Sequence, residues 1–223
     1  MRILIRPKPA ATAIPSDRLD IRPATIAITA RPLRVLDFDI ENRPLSYLGS
    51  DFTTAEVTAI AWAWTDRPDE VTCHLLGQED LKDILREFVV AYAQADLVVG
   101  HYLRAHDIPM VNGALVELGL PVLPDKLVRD TKLDFVRTKG ISLSQESLGA
   151  MLRLDCAKIQ MNQARWRAAN RLTEEGLALV RERVVSDVRQ HMEMMKELQA
   201  KGYLGAPRWW RGGAAALSEG YTP

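Results

Sequence analysis

Cysteine is almost missing from this chain, since Cys73 and Cys156 are its two cysteines among 223 residues. Two cysteines exclude a disulfide framework and a cysteine-rich zinc module. No apolar run reaches the ~18 residues that a membrane-spanning helix needs, so we expect no membrane span. The four histidines form no HxxxH or HExxH pattern. With 47% apolar and 26% charged residues, the composition is that of an ordinary globular protein able to bury a core.

The chain has no excess of charge of either sign, but its charged residues are unevenly spread along the sequence. By our count the net charge is +5 over residues 1–34, −10 over 35–124, +5 over 125–171 and zero over 172–223, which sum to the total of zero. An acidic block between basic blocks suits a metal site beside a surface that binds a polyanion. The alternative is that these charges are ordinary solvated faces.

The composition predicts three segments. Residues 1–33 form a basic, proline-rich N-terminal arm, because prolines this frequent prevent a stable helix. Residues 34–204 form the folded domain, and residues 205–223 form a C-terminal tail. We find no pattern of a signal peptide or a transit peptide in the arm and expect a cytoplasmic protein, encoded by a bacterium or a phage.

Hydrophobic periodicity predicts an α/β fold with a mixed five-stranded sheet, whose first three strands are antiparallel, and helices on both faces. The predicted strands are Arg34–Glu41, Val57–Trp64, Glu70–Leu76, Asp96–His101 and Lys126–Asp130. The predicted helices are Glu79–Ala95, Asp107–Leu118, Ser144–Leu154 and Thr173–Ala200.

The first strand carries carboxylates where a central strand disfavours them. Asp37, Asp39 and Glu41 are two residues apart and share one face, while the apolar residues between them share the other. Like charges so close repel each other, and burying a carboxylate is costly unless it is paired. Either this face is solvated or a cation binds there.

Two more acids stand at unusual places. Asp107 follows a predicted strand, where functional groups of α/β proteins collect, although it could instead cap the next helix. Asp187 lies within the apolar stripe that Val180, Val184 and Val188 form on the last helix. Its alternative is a buried ion pair with one of the nearby arginines.

The order of these motifs resembles that of the DEDD-type 3′–5′ exonucleases of the ribonuclease H-like superfamily, which includes polymerase proofreading domains. LDFDIEN matches the family's first motif at Asp39 and Glu41, and VVGHYLRAHDIPMV matches the second at Asp107. VVSDVRQHMEMMKEL matches the third at Asp187. SLSQESLGAMLRLDCAKI resembles the stretch before the third motif and ends near Lys158, so the resemblance covers roughly Val35 to Leu198.

The resemblance implies a ribonuclease H-like fold and a phosphodiesterase that uses two divalent ions, Mg²⁺ or Mn²⁺. It implies that these ions are held by four carboxylates, Asp39, Glu41, Asp107 and Asp187. We interpret Asp37 as a side chain that supports a ligand or faces solvent, and not as a ligand.

The chain departs from the family at the general base. The family has Tyr four residues or His five residues before its third Asp, whereas this chain has Arg183 and Glu182 there. An arginine is no base at neutral pH. The open alternatives are that another side chain replaces the base, that the metal alone activates water, or that the protein binds metal but is catalytically weak. The candidate bases are Glu182, His191, His101 and His106.

The same resemblance implies the 3′ end of a single-stranded nucleic acid as substrate, with DNA favoured over RNA. The predicted nucleic-acid contacts are His101, Lys158, Arg165, Trp166 and Arg167, although core packing is the alternative for Trp166. Trp209 and Trp210 lie between arginines and would stack on bases, dock on a partner or pack on the domain. A polymerase or another replication or repair protein is a further expected partner. The rival hypothesis is an inactive domain of this fold that binds nucleic acid or a polymerase.

Overall fold

Six strands form one mixed sheet in the computed structural model of the protein, which describes residues 31–45, 52–156 and 158–212. The strands are β1 (Val35–Pro44), β2 (Ala55–Trp64), β3 (Thr72–Leu75), β4 (Leu97–Gly100), β5 (Lys126–Asp130) and β6 (Arg208–Trp210). The helices are α1 (Leu81–Gln94), α2 (Asp107–Glu117), α3 (Gln145–Leu152), α4 (Gln163–Asn170) and α5 (Glu174–Ala200). Nearly all of the predicted N-terminal arm, residues 1–30, and residues 213–223 of the predicted tail lie outside the described residues.

The strand order across the sheet is β3-β2-β1-β4-β5-β6. β1, β2 and β3 pair antiparallel, as predicted, whereas β4 runs parallel to both β1 and β5. The predicted count of five strands was wrong, because the segment assigned to the tail adds β6, antiparallel to β5. A strand of three residues is too short to show an alternating pattern in the sequence.

The two faces of β1 pack against different layers. Leu36, Phe38 and Ile40 lie in one core cluster with Phe88 of α1 and Ile108 of α2. The intervening acidic residues face the opposite layer, since side chains alternate along a strand. The predicted alternation of β1 is therefore confirmed on its apolar side.

Alanines of β2 stand opposite the acids of β1. The cross-strand neighbours are Asp37 and Ala63, Asp39 and Ala61, and Glu41 and Ala59. These alanines pack in a second core cluster with Val180, Val184 and Val188 of α5. Since a methyl group fills little space, the small side chains of β2 let α5 lie close to the acidic face of β1.

Helix α5 begins as the sequence predicts. The hydroxyl oxygen of Thr173 accepts a hydrogen bond from the backbone N–H of Gly176 at 3.1 Å, which caps the first turn.

Helix α4 was not predicted, because its eight residues carry no apolar stripe and bury Ala169 alone. In the described part of the chain, no helix is long and apolar enough to cross a membrane.

Candidate metal and nuclease site

Three of the four predicted ligands meet between β1 and α5. Asp39 and Glu41 extend from β1 and Asp187 from α5, and each offers a carboxylate oxygen within 4.8 Å of the other two. The pairing of β1 with β2 shifts between Glu41 and Asn42, which forms an irregularity beside this group. Such bulges commonly redirect side chains near functional sites. The fold thus brings together carboxylates that are far apart in the chain.

Asp107 approaches the same part of β1 from α2. Its Oδ1 accepts a hydrogen bond from the backbone N–H of Ile40 at 3.3 Å. The parallel pairing of β1 with β4 ends at Asp37 and Val99, so Asp107 satisfies a backbone donor beyond that pairing. The helix-capping alternative was wrong, because the N-cap residue of α2 is His106. Asp107 lies outside the group of three that share the 4.8 Å limit.

Burial and mutual repulsion raise the pKa values of these acids. Burial raises the pKa of Asp39 well above its ordinary value, and the charges of Asp107, Asp187 and Glu41 raise it further. Burial also raises the pKa of Asp107 to about 7. The pKa of Glu41 is likewise raised by burial, although Arg183 opposes that rise. Without a cation, the cluster favours protonated carboxyl groups at pH values where an exposed carboxylate would be ionised.

Two basic side chains already contact the cluster. Lys158 Nζ lies 2.9 Å from Asp187 Oδ2. Arg183 pairs with Glu41 through Nε, and its Nη2 lies 3.8 Å from Asp187 Oδ2. The ion-pair alternative for Asp187 is therefore partly correct, but Arg183 contacts Glu41 more closely and Lys158 is the main partner.

The donor set fits a divalent cation. Carboxylate oxygens are the hard ligands that Mg²⁺ and Mn²⁺ prefer. Asp187 is 1% exposed, and its Oδ1 has no hydrogen-bond partner among the described residues. A buried carboxylate oxygen without a partner is unusual, and a bound cation would satisfy it. Asp39 and Asp187 would hold the ion, whereas Glu41 is already paired with Arg183.

Asp37 belongs to a separate buried network. It is fully buried, so its interpretation as a solvated side chain was wrong. Asp37 Oδ2 lies 2.6 Å from Nδ1 of His191, whose Nε2 lies 3.0 Å from the hydroxyl of Thr131. That hydroxyl lies 2.9 Å from Nδ1 of His101. The network links β1, α5 and the ends of β4 and β5, which suits a structural role.

Among the described residues, none of the four candidate bases belongs to the group that Asp39, Glu41 and Asp187 form. Both ring nitrogens of His191 are engaged in the buried network. Burial and neighbouring charges lower the pKa of His101 to about 3, which makes it a weak base. His106 contacts Asn42 at 3.2 Å, and Glu182 is exposed on α5. The assignment of a base stays a prediction.

Two acids that the sequence reading did not single out shape the loop before α2. Asp130 accepts hydrogen bonds from the backbone N–H groups of Tyr102 and Arg104, both at 3.0 Å. The guanidinium of Arg104 binds both carboxylate oxygens of Asp134, at 2.6 and 3.0 Å. This loop carries His101 and His106 and leads directly into Asp107 at the start of α2, so the two acids position the second motif. Asp130 ends β5 and Asp134 follows four residues later, so their place after a strand was a signal in the sequence.

The predicted nucleic-acid contacts have mixed surroundings. Arg165 and Arg167 are exposed on α4, as a surface contact requires. Trp166 is half-buried, packs against the second core cluster and lies beneath the guanidinium of Arg183 at 5.2 Å. Lys158 is held by Asp187. Trp209 is 61% exposed, whereas Trp210 packs against the first core cluster.

Comparison with known proteins supports the fold. No protein-family model and no curated protein sequence matches the chain. Among solved structures, the family B DNA polymerase from the hyperthermophilic archaeon Pyrobaculum calidifontis is similar, with a TM-score of 0.57 and 19% sequence identity. The match covers 76% of this chain and 25% of that chain, so this chain spans about a quarter of the polymerase's length. At this identity the likeness shows the fold alone, so the predicted mixed α/β architecture is confirmed and is consistent with a ribonuclease H-like fold.

Proposed function

We propose that the protein is a metal-dependent 3′–5′ exonuclease that removes nucleotides from single-stranded nucleic acid, with DNA favoured over RNA. The observation that carries the proposal is the convergence of Asp39, Glu41 and Asp187 within 4.8 Å, beside the unpartnered buried oxygen of Asp187. The order of the sequence motifs and the fold of the similar DNA polymerase support it. The polarity and the preference for single strands come from the family resemblance.

Each residue of the site has a distinct task in this proposal. A divalent cation bound here supplies the positive charge that polarises a phosphodiester and activates water. Asp39 and Asp187 hold the cation, and Asp107 fixes the backbone of β1 through Ile40. Lys158 and Arg183 offset the charge that the acids and a phosphate bring together. Because Arg183 takes the family's base position, the proton of water must leave to another acceptor.

Exposed cations beside the site would guide the strand. Arg165 and Arg167 lie on α4, whose Trp166 packs under Arg183, so this short helix adjoins the acidic group. Backbone cations next to an aromatic side chain are typical of single-strand binding. We place the strand along α4, with its 3′ end toward Asp39. A polymerase or another replication or repair protein is the further partner that this function would need.

Strands labelled at either end test the proposal. We expect stepwise shortening from the 3′ end with Mg²⁺ or Mn²⁺ and none with chelator, because the carboxylates need a cation to bind the phosphate. D187N should lose this activity, whereas D66N, which changes an exposed turn residue, should keep it. Shortening from the 5′ end, or activity that survives both chelator and D187N, would contradict the proposal.

One observation favours a second candidate function. Arg183 stands where the resembling family has its base and is bound to Glu41, which suits a domain that binds nucleic acid without cutting it. The same labelled strands separate the two candidates. Tight binding that leaves the strand intact with either metal would support the binding domain, and shortening supports the exonuclease.

A further inference from the structure

Contacts with three other residues hold the Arg183 guanidinium in the acidic site. Its Nη1 donates a hydrogen bond to the carbonyl oxygen of Ile159 at 2.7 Å, and its guanidinium lies over the ring of Trp166 at 5.2 Å. Its Nε donates to Glu41. Three partners from different parts of the chain fix the guanidinium, so its position does not depend on Glu41 alone.

The charges at the site leave room for one divalent cation. The four acids Asp39, Glu41, Asp107 and Asp187 carry four negative charges when ionised. Arg183 and Lys158, which contact Glu41 and Asp187, carry two positive charges. The remainder is 4 − 2 = 2 negative charges, which one divalent ion neutralises. A second ion would add two positive charges beside a guanidinium that is already in place.

The carboxylate oxygens that have no basic partner also indicate a single cation. Glu41 is engaged by Arg183, and Oδ2 of Asp187 is engaged by Lys158 and approached by Arg183. Oδ1 of Asp187 has no partner among the described residues. Asp39 belongs to the same group of three, whose ligand oxygens lie within 4.8 Å of one another. Among the described residues, the oxygens that neither Arg183 nor Lys158 engages are therefore those of Asp39 and Oδ1 of Asp187.

We infer that the protein without substrate binds one divalent cation at Asp39 and Asp187, because Arg183 takes the place of a second cation beside Glu41. The inference rests on the proposed metal site and departs from the two ions that the family resemblance implies. It assigns Arg183 as a permanent positive group of the site. Removing that charge should free Glu41 and open a second ion position.

The number of Mn²⁺ ions per chain tests this inference without an activity measurement. Equilibrium dialysis followed by elemental analysis should give one ion for the wild type and two for R183M. Electron paramagnetic resonance should show isolated Mn²⁺ in the wild type and a coupled pair in R183M, since paired ions in such sites lie ~3.5–4 Å apart. R189M, which removes an exposed arginine of the same helix, should stay at one ion.

A second neutral variant covers the risk that R183M does not fold. R183L removes the charge and offers Glu41 no donor, and thermal unfolding in chelator identifies the variant to measure. Two ions in the wild type, or one ion in the folded neutral variant, would overturn the inference and leave the proposed function intact. No ion in any variant would overturn both.

Discussion

Replacing Asp39 with asparagine should stabilise the metal-free protein by about 2 kcal/mol and lower the rate of nucleotide removal about 10³-fold. The stability gain arises because Asp39 is repelled by Asp107, Asp187 and Glu41, and its pKa is raised by burial and by these charges. The loss of activity arises because an amide is a poor ligand for the cation. A residue that costs stability and supports activity is expected at a functional site.

The gain in stability should depend on pH. Since the pKa of Asp39 in the folded protein lies above its ordinary value of 3.8, the folded state holds a proton that the unfolded state has lost. Stability therefore falls as pH rises from about 4 through the raised pKa. Asp107, whose pKa is about 7, extends this window to neutral pH. D39N should match the wild type near pH 4 and exceed it at pH 8.

Adding Mn²⁺ at pH 8 should make the wild type more stable than D39N. A ligand at a hundred times its dissociation constant stabilises the folded state by about 2.7 kcal/mol, which the wild type gains and D39N does not. Urea unfolding at pH 4 and pH 8, with chelator and with Mn²⁺, measures all four values. D66N serves as the control, because Asp66 is exposed in the turn after β2. If D39N is no more stable than the wild type in chelator at pH 8, the carboxylates do not repel as described.

Replacing His191 with alanine should destabilise the protein by about 3–5 kcal/mol, because it leaves a buried charge without its partner. Asp37 is fully buried, its Oδ2 is bound by His191 at 2.6 Å, and its Oδ1 has no partner among the described residues. Burial already raises the pKa of Asp37. The loss should therefore be smaller at pH 5, where the carboxyl group can take up a proton.

A double variant separates the lost charge partner from the lost volume. Adding D37N to H191A should recover about 1 kcal/mol or more at pH 8, because it removes the unpaired charge.

H191Q tests whether His191 is the general base, since loss of a base costs about 10²–10⁴-fold in rate. We expect less than a tenfold loss in the folded H191Q protein. A loss above a hundredfold with metal binding unchanged would support His191 as the base.

The sequence predicts the acidic strand because its period is simple. Along β1 the two-residue alternation alone assigns Leu36, Phe38 and Ile40 to one side and the acids to the other. Asp187 could be found for a similar reason, since a carboxylate within an apolar helix stripe breaks the pattern. The repulsion that the sequence predicts between these acids also matches the raised pKa of Asp39.

The contacts of Arg183 could not be predicted in this way. It binds Glu41 across 142 positions of the sequence, and no local pattern reports such a pair. The arginines near Asp187 in the prediction were Arg165, Arg167, Arg181 and Arg183. Lys158, which binds Asp187 most closely, was assigned to nucleic acid instead. Lys158 reaches Asp187 from the segment before α4, and Arg183 of α5 bonds the carbonyl of Ile159 in that segment, so only the three-dimensional fold decides which cation reaches the acids. The same holds for the link of His191 to Asp37, which the three-dimensional fold alone creates.

Anomalous scattering from a crystal grown with Mn²⁺ tests most directly whether these acids hold a cation. The account predicts a manganese peak in contact with Asp39 and the Oδ1 side of Asp187, with Arg183 still bound to Glu41. A well-ordered crystal that shows these carboxylates with no peak between them at saturating Mn²⁺ would contradict the account.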